Sequence, residues 1–245
     1  MSGLSLHQWY SITSFGGPGL TLPLALAIAF WLGFGHTWRM AFGWLLMLCI
    51  AVSLVTVTKI AFLGWGVGVR SLDFTGVSGH AALSTTVYPV ALFLVLLPAR
   101  RSVRILGVLL GLGIGVAVGL SRVVLAAHSP SEAVAGCVVG GLTALLFVCW
   151  HWHAQPGDMP AWPVAASLAM LAFTLHGVQV PTQRWVTHIA LKMSGHERPY
   201  IRARWKAGYG YAPVHAPSVP APFPQTQTHD EDSAPALPPA SHSTI

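Results

Sequence analysis

Four short polar clusters interrupt a chain that is otherwise apolar over most of its first 180 positions: Lys59 with Arg70, the run Ser78-Gly79-His80, the pair Ser121-Arg122, and His128 with Glu132. All fall at the same end of four successive hydrophobic segments. Ionisable groups beside lipid are costly to keep, so a cluster of this kind is expected to be functional. A Ser-Gly-His turn that opens a helix offers unpaired backbone N–H groups, a hydroxyl and the positive end of the helix dipole, which together make a cradle for phosphate. Serine is also a preferred N-cap, which alone would account for Ser78 but not for His80. Ser129, Pro130 and Glu132 read as a capping box with proline at the first helical position, and that pattern accounts for Glu132 by itself. A carboxylate there could also accept a hydrogen bond from His128 Nδ1 and leave Nε2 free as a nucleophile. The two roles are compatible.

The elements that must position these residues follow from composition. With 53% hydrophobic and 8% charged residues in 245, the chain is expected to be all-α, an integral membrane six-helix bundle rather than a soluble domain. Six stretches are apolar enough to span a bilayer: residues 20–35, 41–63, 78–98, 104–121, 131–151 and 161–179. Gly107, Gly111, Gly115 and Gly119 form a stripe on the fourth, and Gly136 with Gly140 repeats the spacing on the fifth. Small residues at this period let membrane helices approach closely, and pairing of the two stripes would bring Arg122 against His128. Cys49, Cys137 and Cys149 lie inside apolar helices and read as small buried hydrophobes.

Four regions are expected: an interfacial segment at 1–19 with Trp9, Tyr10 and Phe15, a transmembrane domain at 20–180, a basic amphipathic interfacial segment at 181–206, and a disordered Pro/Ala-rich tail at 207–245. The net charge of +6 arises from arginines flanking helices and from six basic residues between Arg184 and Lys206. This distribution suits a membrane surface, and no nucleic-acid partner is expected.

The clusters together resemble the type 2 phosphatidic acid phosphatase family. Its pattern reads Lys, six residues, Arg-Pro; then Pro-Ser-Gly-His; then Ser-Arg, five residues, His, three residues, Asp. Here Ser78-Gly79-His80 matches the second motif with Val77 in place of proline. Ser121-Arg122 leads through five residues to His128 and three more to Glu132, with glutamate in place of aspartate. In the first motif ten residues separate Lys59 from Arg70, and Ser71 replaces proline. The resemblance covers about residues 40–155 and implies a membrane phosphatase that releases phosphate from a lipid phosphate or isoprenoid diphosphate. Lys59, Arg70, Ser78, Gly79 and Arg122 would hold the phosphate; His128 would attack it to give a phosphohistidine, Glu132 would orient His128, and His80 would act as acid and then base. Only Asp73 and Glu132 are acidic on that face, so no metal and no cofactor are expected. The alternative is a non-catalytic helical membrane transporter or assembly factor whose histidines line a polar cavity. Such a protein gains nothing from a histidine and a capping carboxylate at fixed spacing after Ser-Arg.

Orientation follows from the loop arginines. Residues 36–40 and 99–104 carry Arg39, Arg100, Arg101 and Arg104, whereas residues 1–38 hold no lysine or arginine. The positive-inside rule makes these loops cytoplasmic, which puts the polar clusters on the outer face of a bacterial-type inner membrane. Six spans would also end outside and carry the basic stretch after Pro181 to that face; a re-entrant sixth segment would instead leave it in the cytoplasm. A membrane-impermeant thiol reagent applied to spheroplasts should therefore label a cysteine placed at Ser71 and not one at Ser102. The reverse labelling would put the polar clusters in the cytoplasm.

Overall fold

The computed structural model describes residues 5–154 and 161–210, and among these the regular structure is helical. Helix α1 is Leu6–Ser14, α2 Pro18–Gly35, α3 Trp38–Trp65, α4 Gly79–Val95, α5 Arg101–Val124, α6 Pro130–Trp150, α7 Ala161–Leu175, α8 Thr182–Ser194 and α9 Arg202–Lys206. A single 3-10 turn, Arg70–Leu72, stands between α3 and α4, beside an isolated bridge from Val69 to Phe74. The tail expected at 207–245 falls outside the described residues from position 211 onward.

All six expected apolar stretches form helices, α2 to α7, but they are not equivalent. By length and composition four apolar runs can cross a membrane: Leu6–Gly35, which joins α1 to α2, then α3, α5 and α6. The apolar helices α4 and α7 are shorter, with 17 and 15 residues. Leu26, Phe30, Ile50, Leu106, Leu110 and Leu142 are all more than half exposed, an outward apolar surface that water would not tolerate. The protein is a membrane protein.

Helix α4 is the centre of the bundle. Its Ala81, Ala82, Val87, Val90 and Phe93 are buried to 2% exposure or less, and α5 and α6 pack on two sides of it. The glycine stripes of α5 and α6 do not pair with each other as expected from the sequence. Both face α4. A Cβ at Gly111 would stand 2.5 Å from the Pro89 backbone, one at Gly115 would meet Thr85, and one at Gly136 would stand 2.6 Å from the Ser78 carbonyl. Thr85 thus lies between Gly115 and Gly140, and the stripes meet only where Gly119 approaches Cys137. The reason is the thin surface of α4 at this level: alanine and threonine side chains allow two neighbours to close in at once.

The other end of the bundle is closed by aromatic packing. Trp44, fully buried, donates from Nε1 to the Ala25 carbonyl at 2.8 Å and meets Phe147 edge-on. Arg104 donates to the Trp152 carbonyl at 3.1 Å and lies over its ring.

Past α7 the chain is back at the polar end, because His176 packs on Phe15 and its Nε2 lies 3.3 Å from the Ser11 carbonyl. A Cβ at Gly19 would likewise stand 2.5 Å from the Val178 carbonyl. Segment 182–206 therefore shares an end with the polar clusters.

Gly140→Ala should be costly, since its Cβ would meet both Thr85 Oγ1 and the Ala82 carbonyl, and Thr85 is fixed by a 2.6 Å bond to the Ala81 carbonyl. A loss of about 1–3 kcal/mol is expected from such overpacking. Gly113→Ala, which meets nothing within 4 Å, should be neutral or gain up to about 1 kcal/mol from helix propensity. Thermal melts in detergent measure both, and an unchanged Gly140→Ala melt would refute close packing of α6 on α4.

Candidate active site

The site is assembled from the polar ends of α3, α4, α5 and α6. On α6, Ser129 caps the helix and Pro130 occupies its first turn. The Glu132 amide donates to Ser129 Oγ at 3.4 Å, and the Ser129 amide donates back to Glu132 Oε2 at 3.3 Å. The expected capping box is present. The same carboxylate also takes the second role: Glu132 Oε2 lies 2.6 Å from His128 Nδ1. His128 Nε2 is left free of that bond.

The turn that presents His128 is built by α5. Ala126 adopts a left-handed conformation, φ 52°, unusual for a residue with a Cβ. The amides of Ala127 and His128 then return to the Arg122 carbonyl at 3.0 and 3.1 Å. Backbone strain of this kind persists where its surroundings fix it, and here it sits two residues before the histidine.

The second motif is tied to the third through the backbone, since the Ser78 amide donates to the Glu132 carbonyl at 3.1 Å. Ser78 occupies the N-cap of α4 but makes no side-chain cap; its hydroxyl is fully buried and without a hydrogen-bond partner. Capping therefore does not explain Ser78. The first intrahelical bond runs from Ala82 N to Ser78 O, so the amides of Gly79, His80 and Ala81 have no intrahelical acceptor. Val77, standing where the family pattern has proline, donates its amide to Thr58 Oγ1 at 3.1 Å, a bond proline could not make. Gly76, at φ 149°, carries the loop so close to Lys59 that a Cβ would meet both its side chain and its backbone at 3.3 Å.

Charge converges on this point. His80 is in the electrostatic field of Arg122, Lys59 and His128, and Lys59 in that of Arg122 and Glu132. Arg122 donates from Nη1 to Thr13 Oγ1 of α1 at 3.2 Å, and its Nε is buried without a partner. Seven of the eight residues singled out from the sequence are thus gathered: Lys59, Ser78, Gly79, His80, Arg122, His128 and Glu132. Arg70 is placed differently. It is exposed on the 3-10 turn, with its guanidinium 5.6 Å over the Trp205 ring.

Two residues at the centre were not anticipated. Thr75 donates to Glu132 Oε1 from both its amide at 2.8 Å and its hydroxyl at 2.5 Å. Arg202 of α9 forms an ion pair with the same oxygen and bonds Thr75 Oγ1 at 2.9 Å. Arg202 lies 70 positions from Glu132 in a stretch rich in basic residues, and no local spacing singles it out. The signal that could have pointed to its segment is Gly64-Trp65-Gly66-Val67-Gly68. Those alternating glycines leave room on the end of α3 for another part of the chain.

Burial pushes the His128 imidazole below the usual histidine range. Lys59 and Arg122 act in the same direction, and the bond to Glu132 opposes them. The net result favours a neutral ring at neutral pH, the form able to attack an electrophile.

The family model of the PAP2 superfamily matches residues 61–156. An uncharacterized 22.5 kDa protein in the cps region of Klebsiella pneumoniae is 37% identical over 202 residues, which cover 80% of this chain and 96% of that one. No solved structure matches significantly.

Neutralising the carboxylate separates its two roles. Glu132→Gln keeps the capping geometry but removes the charge that favours imidazolium, so turnover should fall on the order of tenfold to a thousandfold. Because Glu132 holds the His128 pKa up, its loss should move the acidic limb of kcat/KM to lower pH. Glu132→Asp, which retains charge, should keep more turnover. A Glu132→Gln protein with full turnover and only a lowered Tm would make the residue a cap and nothing more.

Proposed function

We propose a reaction from the premise that this chain belongs to the PAP2 superfamily and is therefore a phosphatase acting on phosphate esters: it hydrolyses a lipid phosphate or isoprenoid diphosphate through a phosphohistidine. One observation carries the reading. A histidine is anchored through Nδ1 on a buried carboxylate, 2.6 Å away, amid the cations Lys59 and Arg122, which favours attack by Nε2 on an anion held there.

Lys59, Arg122, the Ser78 hydroxyl and the Gly79 amide bind the phosphoryl oxygens. Positive charge and N–H donors are what the spread negative charge of a phosphoryl transition state requires. His128 Nε2 attacks phosphorus; an N–P bond forms as the bond to the leaving oxygen breaks, and His80 gives that oxygen its proton. His80, now neutral, takes a proton from water, whose oxygen attacks phosphorus, and the N–P bond breaks to release inorganic phosphate and restore neutral His128. Glu132 holds the ring orientation throughout and stabilises the cation present in the phosphoenzyme.

The substrate class is supported by where the site lies. The end of an apolar bundle faces both water and the lipid surface, so a phosphate headgroup can enter while its hydrocarbon stays in lipid. The arginine loops at Arg39 and at Arg100 to Arg104 support an outward-facing site in a bacterial-type inner membrane. The basic residues of 182–206 share the site's end, but two of them are paired, Arg202 with Glu132 and Lys206 with Asp73.

Purified protein in detergent, offered phosphatidic acid, phosphatidylglycerol phosphate and an isoprenoid diphosphate, should release phosphate from at least one. Labelled substrate should leave acid-labile, base-stable phosphate on the wild type and none on His128→Ala, whose turnover should be abolished. An active His128→Ala protein would overturn the assignment. His80→Ala should still form phosphoenzyme from an ester with a good leaving group, because there only the acid is missing.

A further inference from the structure

Arg202 lies well outside residues 61–156, which the family model spans, yet it reaches the centre of the site. Glu132 is fully buried, and its Oε1 is shared by Arg202 Nη2 and by the amide and hydroxyl of Thr75, while Oε2 serves His128. Arg202 also bonds Thr75 Oγ1 at 2.9 Å. One guanidinium therefore fixes the carboxylate and the threonine that holds it.

The segment bearing Arg202 is seated by construction. Gly64, Gly66 and Gly68 form a bed at the end of α3. A Cβ at Gly64 would stand 3.2 Å from the Ala190 carbonyl, one at Gly66 would stand 2.6 Å from the Tyr200 ring, and one at Gly68 would stand 2.8 Å from the Trp205 ring. Gly66 also needs its left-handed φ of 69°. His196 Nδ1 lies 2.8 Å from the Gly64 carbonyl, the Tyr200 amide donates to the Leu63 carbonyl at 3.0 Å, and buried Trp205 meets Phe62 edge-on. Arg70 covers the outer side of Trp205, and Lys206 pairs with Asp73 at 3.1 Å.

Two departures from the family pattern coincide with this seating. The longer spacing between Lys59 and Arg70 contains the glycine bed. Arg70 holds Trp205, and glutamate in place of aspartate gives the extra methylene with which one carboxylate spans His128 on one side and Thr75 and Arg202 on the other.

We propose that Arg202 is a positioning residue for the reaction: delivered by the strap at 195–206, it orients the Glu132 carboxylate and offsets part of its charge, and so sets how strongly Glu132 holds a proton on His128. The role rests on the reading of His128 as nucleophile. The charged and titratable groups facing His128 are Lys59 from α3, His80 from α4, Arg122 from α5 and Glu132 from α6, and Arg202 acts through the last of these. Removing the Arg202 cation leaves the Glu132 charge uncompensated. The imidazolium form of His128 is then favoured, and the acidic limb of kcat/KM moves to higher pH, opposite to the shift expected for Glu132→Gln.

The test uses the purified full chain in detergent, with whichever lipid phosphate of the panel it hydrolyses, and compares Arg202→Gln, Arg202→Lys, Lys206→Gln and His128→Ala. Arg202→Gln should lower kcat about tenfold or more and move the acidic limb upward. Arg202→Lys, which keeps the charge without the planar fork, should hold the limb near its wild-type position while kcat recovers only in part. Lys206→Gln loosens the strap without touching Glu132 and should leave the limb in place. An inactive His128→Ala protein together with an Arg202→Gln protein of unchanged kcat and limb overturns the positioning role alone. Equal losses in Arg202→Gln and Lys206→Gln with no movement of the limb would make the strap merely structural and overturn it as well. An active His128→Ala protein overturns the nucleophile and, with it, the role of Arg202.

Discussion

A carboxylate with no exposure to solvent must be neutralised by its surroundings, and around Glu132 that requirement organises the polar end of the molecule. Its two oxygens take bonds from the Thr75 amide and hydroxyl, the Ser129 amide, His128 and Arg202, which arrive from the loop before α4, the start of α6 and the segment after α8. Loss of any one leaves a buried charge less well compensated, so the cost of a misplaced loop is concentrated at one atom pair. The same bonds fix the ring of His128. Stability of this end and orientation of His128 are therefore not separable, and under the proposed reaction the same carboxylate serves both.

The glycines of α5 and α6 are the second constraint. By closing on α4 from both sides they draw together the helices whose ends carry Ser78-Gly79-His80, Arg122 and Glu132. In lipid there is little hydrophobic drive to bring helices together, so close backbone contact has to supply much of the association. Basic groups carried on separate helix ends would otherwise repel one another, since Lys59, Arg122 and His80 share one electrostatic neighbourhood. The packed helices hold those cations in place, and Glu132 is the counter-charge among them.

Much of this was legible in the sequence because it is local. Apolar runs gave helices at the six expected positions, though α4 and α7 are shorter than the spans expected there, and the capping box at Ser129 to Glu132 and the spacing from Ser121 to Glu132 both describe contacts within one turn or across one loop. What was not legible is long-range. Glycine spacing announces a close approach without naming the partner, and both stripes chose α4 because its alanines and threonines are thin. Thr75 looks like any loop threonine, and Arg202 is one of six basic residues whose charge reads equally well as a membrane-surface patch. Ser78 shows the converse: its position fits an N-cap, and only the absence of a capping bond separates the two roles.

The contrast between Arg70 and Arg202 shows how a cation can change places within such a site. The family resemblance assigns Arg70 to the phosphate, but the longer connection after α3 carries it outward, where it packs on Trp205. Trp205 belongs to the helix that delivers Arg202 inward. A guanidinium on the surface thus helps to seat another in the interior, and the interior one acts on the carboxylate rather than on the anion. In the proposed reaction, charge at the phosphate is supplied by Lys59 and Arg122, which stand at the ends of α3 and α5. In the proposed site the groups that meet substrate are carried by packed helices, and the group proposed to orient Glu132 comes from a segment laid across their ends. Under the proposed reaction the phosphate cradle is thus carried by the helices, whereas the orientation of Glu132, and through it of His128, depends in part on a strap seated across their ends.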